Sequence, residues 1–387
     1  MKKVWLRLAF LLFVLLVAEA AFAEESKKGS GAAVTMDEVV VTGTRTEEKV
    51  EKIPANVTVI DKKRIEDSNA KNISDVLRSE EGIVVRDLVG NGKTAIVDLR
   101  GFGEAAASNT LVLLDGRRVN AIDLSAFPLA PLDDTVSESE NAYSAGLTYL
   151  YSGKSNVFAR ANRSFRFPLT DELVVFDFAA GKIRVDSGLD PQTGNHYDVG
   201  VRHFFLPNLQ GNLTLFKADI KDEIFYNRAT FSNQNYPQAL HQGAEIGFQA
   251  DVLERVSLFG NFTYEKAVFE TGPFDGNDIP GVPRQKFNLG FRIHDVVPGL
   301  VFTADYNFVG SSYLISDQAN QFQKLDSYYT INARLAYTWG WLRAFFGVNN
   351  ITNQEYSEYA VIGGFPLGRN FYPAPERNWV GGLDMTF

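Results

Sequence analysis

From Tyr143 to Phe387 the chain repeats one unit: a run of about ten residues that alternates apolar and polar, a tight turn, a second such run and a long polar loop. In one run Tyr329, Ile331, Ala333, Leu335, Tyr337 and Trp339 share a face, against Thr330, Asn332, Arg334, Ala336 and Thr338. Phe287, Leu289, Phe291 and Ile293 oppose Asn288, Gly290, Arg292 and His294 in the same way, and Phe302, Ala304, Tyr306 and Phe308 oppose Thr303, Asp305 and Asn307. Period two with one apolar and one polar row is what a wall between lipid and an aqueous lumen requires. A soluble β-sandwich also alternates, but the connections separate the two. Short ones fall at Ser152 to Lys154, Leu206 to Gln210, Leu253 to Arg255, Asp295 to Gly299 and around Gly340. Those between them are long, roughly Ser164 to Asn195, Asp222 to Leu240, Glu270 to Gly281, Ser311 to Leu325 and Ile351 to Pro375. Tight turns on one rim and extended loops on the other belong to an antiparallel transmembrane β-barrel.

Beyond the N-terminus no run of about 18 apolar residues occurs, so no helical span is expected. Aromatics reach 13% of the chain, and Tyr149, Tyr151, Tyr264, Trp339, Trp341 and Trp379 lie near strand ends, where interfacial girdles sit. The absence of cysteine removes disulfides, thiol catalysis and Cys-based metal sites together. The formal charge of −9 becomes −11 once residues 1–23 are set aside, since these hold Lys2, Lys3, Arg7 and Glu19. An acidic chain without a basic patch is a poor nucleic-acid binder, and no nucleic-acid partner is expected.

Catalytic constellations are not visible. His196, His203, His241 and His294 show no H-E-x-x-H pairing, and no G-x-S-x-G occurs. Gly90-Asn91-Gly92 and Gly101-Phe102-Gly103 read as turn glycines, since neither opens a G-x-G-x-x-G helix. Asp133 with Asp134 and Asp171 with Glu172 read as solvated loop charges. The expectation is a non-enzyme with no catalytic residue, no metal site and no cofactor.

At the N-terminus Lys2, Lys3 and Arg7 precede an apolar stretch from Leu8 to Ala18, and Ala21-Phe22-Ala23 forms an A-x-A site. This is the pattern of a secretory signal peptide cut between Ala23 and Glu24. The apolar run is too short for a membrane anchor. Export together with a barrel predicts the outer membrane of a Gram-negative-type cell. Residues 24–36, rich in Ser, Lys and Gly, form a flexible tether. It carries Asp37-Glu38-Val39-Val40-Val41-Thr42, a β-branched run suited to adding itself to the sheet edge of another protein.

Several separated motifs now resemble the TonB-dependent outer-membrane receptor family. Glu38, Val39, Val40, Val41 and Thr42 look like the TonB box, which in the family binds the energising protein of the inner membrane. Ile53-Pro54-Ala55-Asn56-Val57-Thr58-Val59-Ile60 is similar to the opening strand of the family's plug domain. Asn72 to Arg78 reads as a short helix capped by Asn72, with Ile73, Val76 and Leu77 on one face. Gly82-Ile83-Val84-Val85, Asp98-Leu99-Arg100-Gly101-Phe102 and Leu111 to Val119 follow, and Arg100, Gly101, Phe102, Asp115 and Gly116 look like plug signatures. Further on, Phe165-Arg166-Phe167-Pro168 with Asp171-Glu172-Leu173, Ile279-Pro280-Gly281-Val282-Pro283, Gly347 to Tyr356 and Pro373 to Arg377 resemble barrel motifs. The final alternating strand, Trp379, Gly381, Leu383, Met385 and Phe387, ends on an aromatic that in such proteins resembles the signal for the barrel-insertion machinery.

The family's pattern is also incomplete. The segment that follows the Asp115-Gly116 motif in the family, with an arginine-glycine-proline turn, a tyrosine-glycine pair and a glycine-rich strand, has no counterpart here. After Pro131-Leu132-Asp133-Asp134-Thr135 the sequence passes into Glu138 to Tyr149, which resembles the middle of a family barrel. The expected division is 1–23 signal peptide, 24–52 tail with TonB box, 53–135 truncated small α/β plug, and 136–387 the C-terminal part of the barrel. The expected fold is mainly β, with about ten to twelve wall strands against the 22 of plugged transporters.

Geometry makes the shortfall consequential. Strands ~4.8 Å apart and tilted ~40° give an 11-strand cylinder a backbone radius of roughly 11 Å, against roughly 22 Å for 22 strands. A plug fragment with a radius of gyration of about 12 Å does not fit the smaller bore, so it is expected outside the barrel or only partly ordered. With eleven alternating strands the first and last run the same way, and an all-antiparallel barrel cannot close on them. Two accounts stay open: an internally deleted receptor, or a compact barrel that closes with an extra strand around Glu172 to Val185.

The resemblance implies energised uptake of a scarce nutrient of the iron-chelate, siderophore or cobalamin class, impaired in this truncated chain. The alternative is a compact outer-membrane barrel that binds ligand at the surface or acts as a passive pore. Implied partners are a TonB-like protein, the insertion machinery, outer-membrane lipid and a small nutrient ligand.

Overall fold

A computed structural model describes residues 39–41, 47–88, 94–114, 117–118, 138–177, 181–185, 188–227, 230–363 and 367–385. The signal-peptide segment, Glu38, Thr42, Asp115, Gly116 and Phe387 lie outside the described residues.

Short elements come first. Strand β1 (Val39–Val41) pairs antiparallel with β2 (Glu47–Lys49). Helices α1 (Lys62–Asp67) and α2 (Ile73–Leu77) follow, then β3 (Ile83–Asp87) paired with β4 (Ala95–Leu99). Helix α3 (Ala106–Asn109) precedes a small hairpin of β5 (Leu113–Leu114) and β6 (Arg117–Arg118). Both early helices are started by their caps: the Asp61 carboxylate accepts from Arg64 N–H at 2.7 Å, and the Asn72 carbonyl accepts from Asp75 N–H at 2.9 Å. The cap at Asn72 matches the expectation from sequence; the apolar face of α2 does not, because Ile73 is 77% exposed. Residues 53–60, expected as a strand, form no ladder among the described residues. A strand needs a neighbour for its main-chain bonds, and the described part supplies none there.

The wall follows. Its strands are β7 (Tyr143–Ser152) and β8 (Ser155–Arg166), then β11 (Gln192–Leu206) to β18, namely β12 (Leu209–Asn227), β13 (Ser232–Leu253), β14 (Val256–Phe269), β15 (Gln285–His294), β16 (Leu300–Val309), β17 (Tyr328–Trp339) and β18 (Leu342–Asn349), and finally β21 (Asn378–Met385). They form one 11-stranded sheet in the order β21-β18-β17-β16-β15-β14-β13-β12-β11-β8-β7, every neighbouring pair antiparallel. Among the described residues the sheet is open, with β7 and β21 as its edges, the outcome to which the parity of eleven strands leads. In hydrocarbon each unsatisfied main-chain group along such an edge costs several kcal/mol.

Two further hairpins stand apart from the wall. β9 (Val174–Asp177) and β10 (Lys182–Val185) pair with each other in a two-stranded sheet, so the region around Glu172 to Val185 adds no strand to the wall. β19 (Ser357–Gly363) and β20 (Gly368–Pro373) likewise pair together, and Ile315 bridges to Val361. Leu314, Ala360 and Ile362 pack there with Phe322 and Leu325 as a small loop-side core.

The two rows separate as the alternation requires. Leu335, Tyr337 and Trp339 are exposed on one face, while Arg334 and Ala336 are buried on the other. All six girdle candidates, Tyr149, Tyr151, Tyr264, Trp339, Trp341 and Trp379, are exposed. The stretch from Asp222 to Leu240, expected as a loop, is instead the upper half of a continued hairpin, with β12 running 19 residues and β13 running 22. The β12–β13 ladder persists there through pairs such as Glu223 with Tyr236. The principal core lies along this upper reach, formed by Ile220, Phe225, Tyr236, Phe269 and Ile279 with Ala105 and Phe102 of the N-terminal segment. Within the bilayer the wall turns its apolar row to lipid, so the buried apolar residues gather above it.

The N-terminal segment is cradled on the polar face of the sheet. Its contacts run from edge to edge, from Pro54, which packs over Gly146 of β7, through Asn156 on β8, which donates to Glu51 O at 3.1 Å, to Lys71, which donates to Asn378 Oδ1 of β21 at 3.0 Å. This corrects the expectation that the segment lies outside the wall. That expectation assumed a closed 11-strand bore, whereas an open sheet keeps a wider trough.

Candidate functional site

The turn after β4 is set by Asp98. Its carboxylate accepts from Phe102 N–H at 2.8 Å and Gly103 N–H at 3.0 Å, and pairs with Arg86 at 2.8 Å, all buried. Arg86 also donates to Gly103 O at 2.6 Å and, across to the wall, to Gly281 O at 2.8 Å. The turn so fixed drives Arg100 and Gly101 into the left-handed region, with φ of 60° and 78°. For Arg100 this costs about 1–2 kcal/mol, offset by what the side chain reaches. Its guanidinium grips Glu245 of β13 with two bonds, Nε to Oε1 at 2.9 Å and Nη2 to Oε2 at 3.0 Å, and donates to Asp198 of β11 at 2.5 Å. It also lies 4.5 Å over the Phe216 ring of β12. One plug side chain thereby spans three adjacent wall strands. The two carboxylates hold its charge firmly, pushing the Arg100 pKa further up against the effect of burial.

Gly101 is required by approach as well as by φ. A Cβ there would sit 2.3 Å from Glu265 Oε1 of β14. Gly82, with φ of 68°, is in the same position against Glu245 Oε1, also 2.3 Å away. Phe102 stacks on His241 of β13 with 4.7 Å between centroids and joins the principal core. The sequence motif Arg100-Gly101-Phe102 is therefore one ionic, one steric and one apolar attachment to the wall.

A second set of attachments runs from the level of Glu245 down toward the short-turn rim. Thr263 Oγ1 accepts from Gly82 N–H at 2.9 Å, and Lys286 Nζ donates to Glu80 O at 2.6 Å and Ile83 O at 2.5 Å. Arg292 pairs with Asp67 at 2.6 Å and Thr303 donates to Asp67 O at 2.8 Å. Asn56 bridges Glu81 at 2.8 Å and Glu245 at 2.9 Å. Burial pushes the Glu80 and Glu81 carboxyls up from their ordinary value, partly countered by Arg64 for Glu80 and by the Asn56 and Asn212 amides for Glu81. A cavity of about 1460 Å³ remains between segment and wall, lined by groups such as Lys71, Arg202, Asn212, Arg292 and Arg334.

The loop side is attached too. Glu104 accepts from Ser316 N–H at 3.0 Å and from Gln318 Nε2 at 3.1 Å, in the loop between β16 and β17. Burial raises its carboxyl to about 7, with those hydrogen bonds opposing. Arg78 pairs with Glu358 of β19, whose other oxygen accepts from Asp87 N–H at 3.3 Å.

Of the residues singled out in the sequence, Arg100, Gly101 and Phe102 converge on the wall, whereas Val39, Val40 and Val41 lie in the β1–β2 hairpin. Asp198, Glu245, Glu265 and Lys286 were not foreseen. Each stands on the polar row of its strand and meets the plug: Asp198 and Glu245 at Arg100, Glu265 at Gly101 and Lys286 at the Glu80 and Ile83 carbonyls. Among the described residues no group of three metal-ligating side chains is placed to hold an ion.

Comparison with known proteins agrees with this arrangement. The TonB-dependent receptor-like β-barrel model matches residues 109–351, and the TonB-dependent receptor plug-domain model matches residues 49–147. The chain belongs to the TonB-dependent receptor family. This is a family of outer-membrane β-barrel receptors and not of enzymes. A vitamin B12 transporter, BtuB of Vibrio vulnificus, is 41% identical over 87 residues, covering 22% of this chain and 14% of that protein. Among solved structures, the ferric-catecholate import receptor Fiu of Escherichia coli K12 superposes with a TM-score of 0.51 at 21% identity, over 63% of this chain and 34% of that one. The ferric enterobactin receptor PfeA of Pseudomonas aeruginosa gives 0.53 at 16% identity, over 64% and 40%. This receptor chain thus spans well under half the length of the relatives it matches. The two family matches overlap at residues 109–147, where plug passes into wall.

Proposed function

We propose that the chain is a TonB-dependent outer-membrane receptor of the class that takes up a scarce nutrient, an iron chelate or cobalamin, and that a single chain does not perform gated uptake. Residues 1–23 act as the export signal and are removed, 24–52 carry the TonB box, 53–135 form the shortened plug, and 136–387 form the wall. Phe387 serves the insertion machinery. The observation that carries the reading is the Arg100 grip on Glu245 and Asp198, a buried ionic attachment between plug and wall. Such a charged attachment is strong at rest and can be released by displacement, which is what an energised gate needs. Similarity to a vitamin B12 transporter favours cobalamin among the nutrients to be tried first. Impairment follows from the open edges at β7 and β21, which leave the wall without a sealed lumen.

The TonB box supplies the energy input in this reading. Strand β1 has β2 on one side, through Val39 to Lys49, Val40 to Glu48 and Val41 to Glu47. Among the described residues no strand pairs with its other edge, where a partner strand could be held by main-chain bonds. A Val40→Pro tail peptide, which loses an N–H and fixes φ, is expected to bind the periplasmic domain of a TonB-like protein at least tenfold more weakly than the unsubstituted peptide in a calorimetric titration; equal affinity removes the assignment.

Uptake decides the rest. In a strain lacking its own receptors, labelled cobalamin and ferric siderophores are expected to bind at the surface without accumulating inside. Saturable accumulation that needs both Val40 and the proton gradient would show a competent transporter and end the claim of impairment.

A further inference from the structure

The two edges of the wall are matched to each other. β7 has ten residues and β21 has eight, close to the 9–11 that cross a bilayer. The lipid-facing row of β7 is Tyr143, Ala145, Leu147, Tyr149 and Tyr151, and that of β21 is Trp379, Gly381, Leu383 and Met385. Neither row contains Asp, Glu, Lys, Arg or His. Tyr143 and Trp379 both start their strands at the long-loop rim and both are exposed, so the aromatic belt would run unbroken across a junction of the two. On the polar rows β7 has Ser144, Gly146 and Thr148 and β21 has Asn378, Val380, Gly382 and Asp384; Asp384 is the single charge, so no like charges would be opposed.

The chain cannot bring these two edges together by itself. The plug segment spans the trough from β7 to β21, and its radius of gyration of about 12 Å exceeds the roughly 11 Å backbone radius of an 11-strand cylinder. Two sheets of eleven strands make 22, the number of plugged transporters, with a radius of roughly 22 Å. The plug also keeps apolar side chains without cover from the sheet: Leu111, Leu113 and Leu114 are all exposed.

We propose that two copies of this chain close into one 22-stranded barrel about a two-fold axis along the barrel axis, β7 of each copy pairing with β21 of the other. The axis keeps the long loops of both copies on one rim. It makes the two seams identical and leaves no free edge, as closed cyclic symmetry demands. Both seams are parallel, because the first and last of eleven alternating strands run the same way. Lipid tolerates such a seam: any barrel with an odd number of alternating strands, the 19-stranded mitochondrial channel included, contains one. The bare sides of the two plug segments then share one lumen, where Leu111, Leu113 and Leu114 of each find cover. The assembly does not depend on which nutrient is carried: a closed dimer that accumulates nothing leaves both it and the impairment standing, whereas a closed dimer that accumulates nutrient leaves the assembly standing and ends the claim of impairment.

The absence of cysteine gives a clean test. Ser144→Cys and Val380→Cys place thiols side by side on the polar rows of β7 and β21 when Tyr143 stands level with Trp379. Two differently tagged chains, one with each substitution, are co-expressed and oxidised in isolated outer membranes. The expected product is a disulfide-linked pair containing both tags, absent when either chain is expressed alone. The unsubstituted protein in mild detergent is expected to show twice the single-chain mass by native mass spectrometry, a reading that needs no variant to fold. The doubly substituted chain cross-linking within itself, a single-chain native mass, or a complex with a different polypeptide that supplies an odd number of strands would each overturn the proposal.

Discussion

The middle of the wall and its two ends follow the same alternating pattern, yet they stand in different situations. From β11 to β18 the polar row carries Asp198, Glu245, Lys286, Arg292 and Arg343, and each is engaged by the plug. At β7 the equivalent row is Ser144, Gly146 and Thr148, on which Pro54 of the plug packs without an ion pair, and among the described residues the strand keeps one open backbone edge. Alternation therefore tells which way a side chain points but not what it meets. The charges on the polar row decide where the plug is held by ion pairs, while at the uncharged row of β7 it rests on packing.

That contrast is most sharply broken at Arg100. Arg100→Ala strands the Glu245 and Asp198 carboxylates, and removing one partner of a buried ion pair typically costs about 3–5 kcal/mol. Amide exchange across residues 82–103 is expected to accelerate by roughly two to three orders of magnitude, while Thr148→Ala on β7 leaves the same amides unchanged. If both substitutions moved them equally, the distinction between centre and edge would be lost.

A smaller effect is expected at Glu104, and it depends on pH. Its folded-state value of about 7 lies above the ordinary 4.5, so the folded contact holds the proton more tightly than the unfolded chain. The contribution is fullest below about pH 4.5, declines as pH rises from there to about 7, and is constant above. Protease protection of the 310–327 loop is expected to be several-fold greater at pH 5 than at pH 8, and Glu104→Gln should remove that difference. The smallest effect is assigned to Ile73→Ser: the side chain is 77% exposed, and a change within about 0.5 kcal/mol in thermal unfolding is expected. A larger loss would mean that α2 is covered in the assembled protein.

Much of the wall was legible because period two is a local signal. Leu335 and Arg334 could be assigned to opposite faces from neighbours alone, and the parity that leaves β7 and β21 unpaired is a matter of counting strands. The misreadings were non-local. Asp222 to Leu240 is polar enough to pass for a loop, and it stays a ladder because the residues below it fix the register and Ile220, Phe225 and Tyr236 find the plug turn to pack on. Residues 53–60 have strand composition, yet a strand is a property of two segments and the second was not in view. Arg100 was recognised as part of a motif, whereas its partners Glu245 and Asp198 were not, since a carboxylate 145 residues away announces nothing until the sheet is curved around the plug.

The continued hairpin of β12 and β13 has a further effect on what the outside world encounters. A strand crosses the bilayer with about ten residues when tilted near 45°, so the 22 residues of β13 leave about twelve beyond it. At ~3.4 Å per residue these carry the tip close to 30 Å above the lipid. The exposed tip at Thr230 and Phe231 therefore stands well clear of the bilayer, where antibodies raised on intact cells should reach it.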